Sequence, residues 1–185
     1  MFLDSALSFN TNWTTTQTLS TTADSATIID VTGAGVGVAP SMIGGGANLT
    51  TAGIIGNDWG LSDGIAVPYV LITFPGPAGS ASNTLTVTLK AAPATSSNTE
   101  GTYIAIYTSP AFVASTLAVG TIIMFPVPPM QAPIGSDNPP PRFYKLTYTC
   151  SGALGGSPKV IAGIVLNPTS ALLAGVNYPN NFVVA

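Results

Sequence analysis

Residues 83–90 read Asn-Thr-Leu-Thr-Val-Thr-Leu-Lys, and this stretch decides the fold. Leu85, Val87 and Leu89 alternate with threonines, the period of two that is typical of a strand with one buried face. Other runs rich in β-branched and aromatic residues, bounded by Gly, Pro, Ser or Asn, predict further strands. They cover residues 26–31, 66–74, 102–108, 117–125, 142–150 and 159–166.

Helical spacing is nearly absent outside residues 5–7, and 20 glycines with 16 prolines are too frequent for long helices. Seven or eight strands separated by turns predict an all-β protein, a jelly-roll-like β-sandwich with long glycine-rich and proline-rich loops. The last two strands flank the short turn Ser-Gly-Ala-Leu-Gly-Gly-Ser at residues 151–157. We expect these two strands to form a hairpin.

A chain of 185 residues fits one domain with its own core. The predicted division is an N-terminal arm at residues 1–20, a sandwich at 21–166 and a C-terminal tail at 167–185. Two insertions interrupt the sandwich: a glycine-rich one at 32–64 and a proline-rich one at 126–141. We expect the arm, mainly residues 1–13, and both insertions to contact other proteins.

Charged residues make up 6% of the chain, against about 25% in an ordinary soluble domain. So neutral a surface indicates a subunit that neighbouring proteins shield from water. Four basic residues are too few to neutralise a phosphate backbone, which argues against direct nucleic-acid binding. We expect no membrane span, because no run approaches about 20 apolar residues, and synthesis in the cytoplasm, because the first 13 residues lack the regions of a signal peptide.

The chain has no histidine, which excludes Cys–His and Ser–His–Asp catalytic sites. We therefore expect no enzyme activity and no cofactor. Asp58 and Asp63 could supply oxygen ligands to a calcium ion, but they lack the spacing of an EF-hand, and such residues more often satisfy turn backbone. Whether they bind an ion stays open, and no metal site is predicted. Cys150, the single cysteine, is predicted to be a buried thiol.

Aromatic residues raise an alternative function. Trp59, in a predicted loop, could stack on a sugar ring, as in a carbohydrate- or receptor-binding β-module of a viral fibre or spike. Tyr144 and Tyr148 lie in a predicted strand, where aromatic side chains more often serve the core or cross-strand pairs.

The C-terminal half carries a family resemblance. Residues 142–148, Arg-Phe-Tyr-Lys-Leu-Thr-Tyr, precede a short turn and residues 159–166, Lys-Val-Ile-Ala-Gly-Ile-Val-Leu. The chain opens on Met-Phe-Leu-Asp, and residues 24–30 read Asp-Ser-Ala-Thr-Ile-Ile-Asp. In their order along the chain, these segments resemble the capsid cement, or decoration, proteins of tailed phages with the Bordetella type of head.

The resemblance implies a non-catalytic, jelly-roll-like virion protein on the outer surface of an icosahedral capsid. Such a subunit bridges capsomers of the major capsid protein and is itself a homo-oligomer, a dimer or trimer. We expect its protein contacts to involve apolar residues of the arm, the insertions and the tail. These candidates are Met1, Phe2, Leu3, Phe9, Trp13, Trp59, Pro128, Pro129, Met130 and Phe182.

Overall fold

A computed structural model describes residues 7–30, 68–80, 82–93, 95, 97, 99–127 and 141–166. This part of the chain forms strands joined by turns, with one three-residue 3-10 helix at Ala114–Thr116. The strands are β1 (Gln17–Thr18), β2 (Ala23–Asp24), β3 (Ile29–Asp30), β4 (Pro68–Phe74), β5 (Thr84–Ala92), β6 (Ile104–Thr108), β7 (Phe112–Val113), β8 (Thr121–Pro126), β9 (Phe143–Cys150) and β10 (Lys159–Leu166).

The strands form two antiparallel sheets. One has the order β1-β10-β4-β8, and the other has the order β2-β9-β5-β6, with β3 also paired to β9 and β7 to β5. The predicted all-β sandwich is therefore confirmed. The jelly-roll winding stays a prediction, because the connections at residues 31–67 and 128–140 lie outside the described residues.

The core lies between the two sheets and follows the alternation seen in the sequence. Leu85, Val87 and Leu89 are fully buried, whereas the threonines between them are half-buried. Each such leucine contributes about 1.5–3 kcal/mol by leaving water. The facing sheet supplies Val70, Ile72 and Phe74 from β4 and alternate residues of β8 and β10 to the same cluster.

The predicted hairpin of the last two strands is wrong. β9 pairs with β5 in one sheet, and β10 pairs with β4 in the other. Leu154, in the middle of the predicted turn, is fully buried between the sheets, and its N–H donates to the Ser20 carbonyl. A hairpin turn would expose this leucine, so its burial favours an arch that carries the chain from one sheet to the other.

Four described connections cross between the sheets at the same end of the sandwich, at residues 19–22, 75–83, 114–120 and 151–158, and we call this the corner end. The backbones of the second and the fourth approach so closely that two positions require glycine. A Cβ on Gly79 would lie 2.7 Å from the Leu154 carbonyl oxygen, and one on Gly156 would lie 2.6 Å from that of Ala78. Gly156 also has a φ of +59°, which is costly for other residues.

Residues 7–30, most of which were predicted to be an arm, form part of the sandwich. Ser8 bridges Gly163 on β10, and the Phe9 N–H donates to the Ala162 carbonyl at 2.9 Å. Buried Asn10 accepts from the Ala162 N–H at 2.8 Å and donates to the Val160 carbonyl at 3.2 Å. The amide of Asn10 thus imitates a strand partner for β10, which is why this segment docks rather than extending away.

Several predicted boundaries shift. The strand expected at 26–31 shortens to β3, and the strand expected at 117–125 begins only at Thr121. The proline-rich insertion was predicted to begin at residue 126, but residues 126 and 127 belong to the sandwich. Pro126 ends β8 opposite Tyr69, and buried Val127 donates its N–H to the Pro68 carbonyl.

Candidate interaction surfaces

Within the described ranges, histidine, cysteine and acidic side chains form no group of three or more that could hold a metal ion. The same part of the chain contains no helix long and apolar enough to cross a membrane. Three surface regions stand out instead: one end of the sandwich and its two outer faces.

The end opposite the corner end is where the chain enters and leaves the described body. β4 begins there at Pro68, which lies opposite Leu166, the last residue of β10. Val127 is hydrogen-bonded to Pro68, and the Arg142 N–H donates to the Ala92 carbonyl at 2.9 Å. The segments 31–67, 128–140 and 167–185 therefore all attach at this end, which we call the segment end.

Residues 1–6 are attached to the sandwich on the side of the segment end. Because the stretch from Leu7 to Asn10 runs antiparallel to β10, residue 7 lies nearer the segment end than residue 10. The four attached segments contain Asp4, Asp58, Asp63 and Asp137 but no lysine or arginine. About 75 residues with four charges thus begin or end at one place on the molecule.

An ion pair links two of these attachment points. Arg142 Nε donates to Asp30 Oδ1 at 2.8 Å and Nη2 to Oδ2 at 2.9 Å, a bidentate geometry. The guanidinium also lies 4.9 Å from the centre of the Phe143 ring. The hydrogen bonds that Arg142 donates to Asp30 raise the pKa of the guanidinium above its ordinary value, so the pair stays charged. The ion pair holds Asp30, which precedes segment 31–67, beside Arg142, which follows segment 128–140 by two residues.

The outer face of the six-stranded sheet carries most of the charge, and we call it the charged face. Lys145 Nζ lies 2.7 Å from Asp24 Oδ2 and 4.3 Å from the centre of the Tyr103 ring. The Tyr103 hydroxyl donates to Glu100 at 2.9 Å. Six of the seven charged side chains in the described ranges belong to this sheet or its loops: Asp24, Asp30, Lys90, Glu100, Arg142 and Lys145.

Two pKa shifts on the charged face have identifiable causes. Desolvation opposes ionisation of Asp24, but hydrogen bonds from Lys145 and Thr147 and the charges of Lys145 and Lys90 outweigh it, so the pKa of Asp24 falls below 3.8. Desolvation, followed by the hydrogen bond to Glu100, raises the pKa of Tyr103 well above 10. Asp24 therefore stays ionised beside Lys145, and Tyr103 stays protonated beside Glu100.

The outer face of the four-stranded sheet has the opposite character. Because residues 70, 72 and 74 point into the core, their neighbours on β4 point outward, and the same alternation holds for β8 and β10. The register aligns outward residues in three rows without a charge, and we call this surface the apolar face; Lys159, which also points outward on β10, lies beyond these rows at the corner end. The rows are Ile161-Thr73-Ile122, Gly163-Leu71-Met124 and Val165-Tyr69-Pro126.

The apolar face is already partly covered within the chain. Leu71 and Val165 are buried, while Tyr69, Ile122, Met124 and Ile161 are half-buried. A signal for this surface exists in the sequence: β4 and β10 read as nearly continuous apolar runs rather than as alternating ones. Such runs are typical of strands buried on both faces. The contrast with the alternating pattern of β5 could therefore have indicated a second apolar face on this sheet.

The predicted contact residues have different outcomes. Phe9 is fully buried in the core, so the expectation that it contacts a partner is wrong. Trp13 is half-buried, with its ring placed where a Cβ on Gly163 would stand, so it packs on β10 rather than projecting from an arm. The other candidates lie outside the described residues: Met1, Phe2, Leu3, Trp59, Pro128, Pro129, Met130 and Phe182.

Three further predictions concern single residues. Tyr144 and Tyr148 are buried in the core, as expected for strand aromatics. Cys150 is half-buried at the edge of the core rather than fully buried, and desolvation raises the pKa of its thiol. Asp58 and Asp63 fall within segment 31–67, outside the described residues. Comparisons of the sequence with protein-family models and with curated proteins give no match.

Proposed function

We propose that this chain is a capsid cement subunit, a structural, non-catalytic protein that binds the outside of an icosahedral phage head. In this role it stabilises the contacts between capsomers of the major capsid protein. The observation that carries the proposal is the segment end: four nearly uncharged segments attach to one end of a rigid sandwich. Such a body can present many neutral contacts in one direction.

The distribution of charge supports the same role. Charges on the charged face are largely paired with one another, and the apolar face has none. A neutral apolar surface gains free energy when a neighbouring protein covers it, at about 25 cal/mol per Å². In a shell each copy needs only a modest interface, because many copies act together.

The resemblance to phage cement proteins agrees with this reading. The resembling strands at 142–148 and 159–166 are β9 and β10, each an inner strand of a different sheet. The resemblance therefore concerns the scaffold, whereas we assign shell binding to the attached segments and the apolar face.

Co-sedimentation with empty phage heads that lack this chain tests the proposal. One variant replaces residues 129–139 by a short Gly-Ser linker and keeps Val127, whose burial makes it part of the sandwich. A second variant ends the chain at residue 170. We expect both to keep the cooperative unfolding of the sandwich, and at least one to bind heads tenfold more weakly.

Point variants separate the surfaces. Met124→Lys adds a charge to the apolar face, and Thr149→Lys adds the same charge to an exposed position on the other sheet. Ser80→Lys places it at the corner end. We expect only Met124→Lys to weaken head binding. Failure of the unaltered protein to bind heads, or full binding by both shortened chains and by Met124→Lys, would contradict the proposal.

A further inference from the structure

Two residues of the apolar face are excluded from water although they point away from the core. Leu71 is 3% exposed and Val165 is 0% exposed, yet neither belongs to the core cluster between the sheets. Their neighbours in the same rows, Tyr69 and Met124, are half-buried. A side chain on the outer face of a sheet loses all contact with water only when something lies on top of it. Part of the apolar face is therefore covered within the single chain.

Gly163 shows which part of the chain reaches the outer side of β10. Its neighbours Ala162 and Ile164 belong to the core, so a Cβ on Gly163 would point outward. That Cβ would meet the Trp13 ring and would lie 2.7 Å from the Leu7 carbonyl oxygen. Both groups thus occupy the space that the absent side chain leaves. The N-terminal segment therefore touches the apolar face at its middle row.

The direction of this segment carries the chain before Leu7 towards Val165. Ser8 and Gly163 form an antiparallel bridge, so each residue nearer the N-terminus lies one residue further along β10. Residues 1–6 read Met-Phe-Leu-Asp-Ser-Ala. Six extended residues span about 20 Å, whereas β8 lies two strand spacings, or about 10 Å, from β10. Residues 1–6 are thus long enough to cross the face.

We propose that residues 1–6 fold over the apolar face as a strap, which crosses the row Val165-Tyr69-Pro126 from β10 towards β8. The apolar residues 1–3 form its anchor, and the strap belongs to the same chain as the face that it covers. In the free subunit it shields a surface that would otherwise favour non-specific association. The cement role is not a premise of this proposal.

The C-terminal tail is another segment that starts near Val165. It follows Leu166 at the end of β10, so the strand directs it beyond the segment end rather than over the face. Pro168 also lacks the N–H that a strand returning beside β10 would need. The strap has the opposite geometry, because it joins Leu7, whose carbonyl already lies on the outer side of β10. We therefore assign the cover to residues 1–6, and the test includes the tail.

Nuclear magnetic resonance of the full chain with labelled methyl groups tests the strap directly. We expect nuclear Overhauser effects between the Val165 methyl groups and protons of residues 1–3. A soluble paramagnetic probe should relax these methyl groups at least about twofold faster in a chain whose start methionine is followed directly by Leu7. A chain that ends at residue 170 should show no such change. The Leu85 methyl groups, fully buried in the core, report whether the sandwich is intact in each chain.

Phe2→Asp in the full chain adds a charge to the anchor without removing any backbone. We expect the same faster relaxation at Val165 and stronger fluorescence of a dye that binds exposed apolar surface. Thr11→Asp, at an exposed position of the same N-terminal segment, is the matched control and should alter neither signal.

Three results would overturn the strap. Val165 could stay protected in the chain without residues 1–6, loss of the tail alone could expose it, or the full chain could show no contact between Val165 and residues 1–3. All these measurements use the free subunit without phage heads. The strap can therefore fail while the cement role stands, and the reverse.

Discussion

At the scale of single residues, Tyr148 is an unusual member of the core. Its side chain is fully buried on β9, and its hydroxyl has no hydrogen-bond partner among the described residues. Burial raises the pKa of this phenol well above 10, so it stays protonated. A buried hydroxyl without a partner costs about 1–3 kcal/mol of folding free energy.

Tyr148→Phe removes this hydroxyl and keeps the ring. We expect the free energy of unfolding, measured with urea, to be unchanged or to rise by about 1 kcal/mol. Tyr144→Phe is the matched control, since the Tyr144 hydroxyl donates to the Pro141 carbonyl at 3.4 Å and its removal should cost a little stability. A loss of more than about 1 kcal/mol in Tyr148→Phe would mean that the hydroxyl makes a favourable contact.

At the scale of elements, Asn10 holds the N-terminal segment on β10. Asn10→Ala leaves the buried Ala162 N–H and Val160 carbonyl without these partners, which should lower the free energy of unfolding by about 2–3 kcal/mol. Exchange of the Ala162 amide should quicken. In Asn12→Ala, which removes contacts only to Thr14 and Thr15 in an exposed turn, we expect a smaller loss and an unchanged Ala162 amide.

The pairing of β2 with β9 should depend on pH through Asp24. Because its pKa is lower when folded than the 3.8 of the free group, the stabilisation is present above about pH 4 and disappears as pH falls through the folded value. The carboxylate is 47% exposed, so the effect should stay below about 1 kcal/mol. Urea midpoints from pH 6 to pH 2 should fall more for the unaltered chain than for Asp24→Asn, and equal slopes would contradict this account.

The strands could be predicted where side chains alternate, as in β5, because burial of one face imposes that period. The path between sheets could not. Residues 151–157 have the composition of a tight turn, and only the burial of Leu154 distinguishes an arch from a hairpin. Phe9 likewise gives no local sign of being core, since its burial depends on Asn10 reaching β10, some 150 residues later in the chain.

At the scale of the whole molecule, the surfaces to which we assign binding carry few charges. The segments at the segment end carry four aspartates and no basic residue, and the apolar face carries no charge. The scarcity of charge in the segments could be predicted from the composition. That the segments share one end of the sandwich could not, because this depends on how β4, β5, β9 and β10 pair.

So few charges on the binding surfaces predict a binding reaction that salt hardly affects. Screening weakens contacts between exposed charges as the Debye length falls from about 10 Å at 0.1 M to about 3 Å at 1 M, but apolar contacts do not depend on it. Affinity for empty heads should therefore change less than about threefold over that range. A tenfold loss would point to ionic docking through the charged face.

The fixed attachment points of the internal segments also determine how much a change in segment length costs in stability. Pro68 and Val127 are held together, as are Asp30 and Arg142, so the residues flanking each internal segment stay fixed whatever lies between them. Doubling the length of a flexible loop with fixed ends adds only about 0.6 kcal/mol of closure entropy. Foreign peptides grafted between residues 128 and 140 should consequently be tolerated, which makes this sandwich a natural scaffold for display.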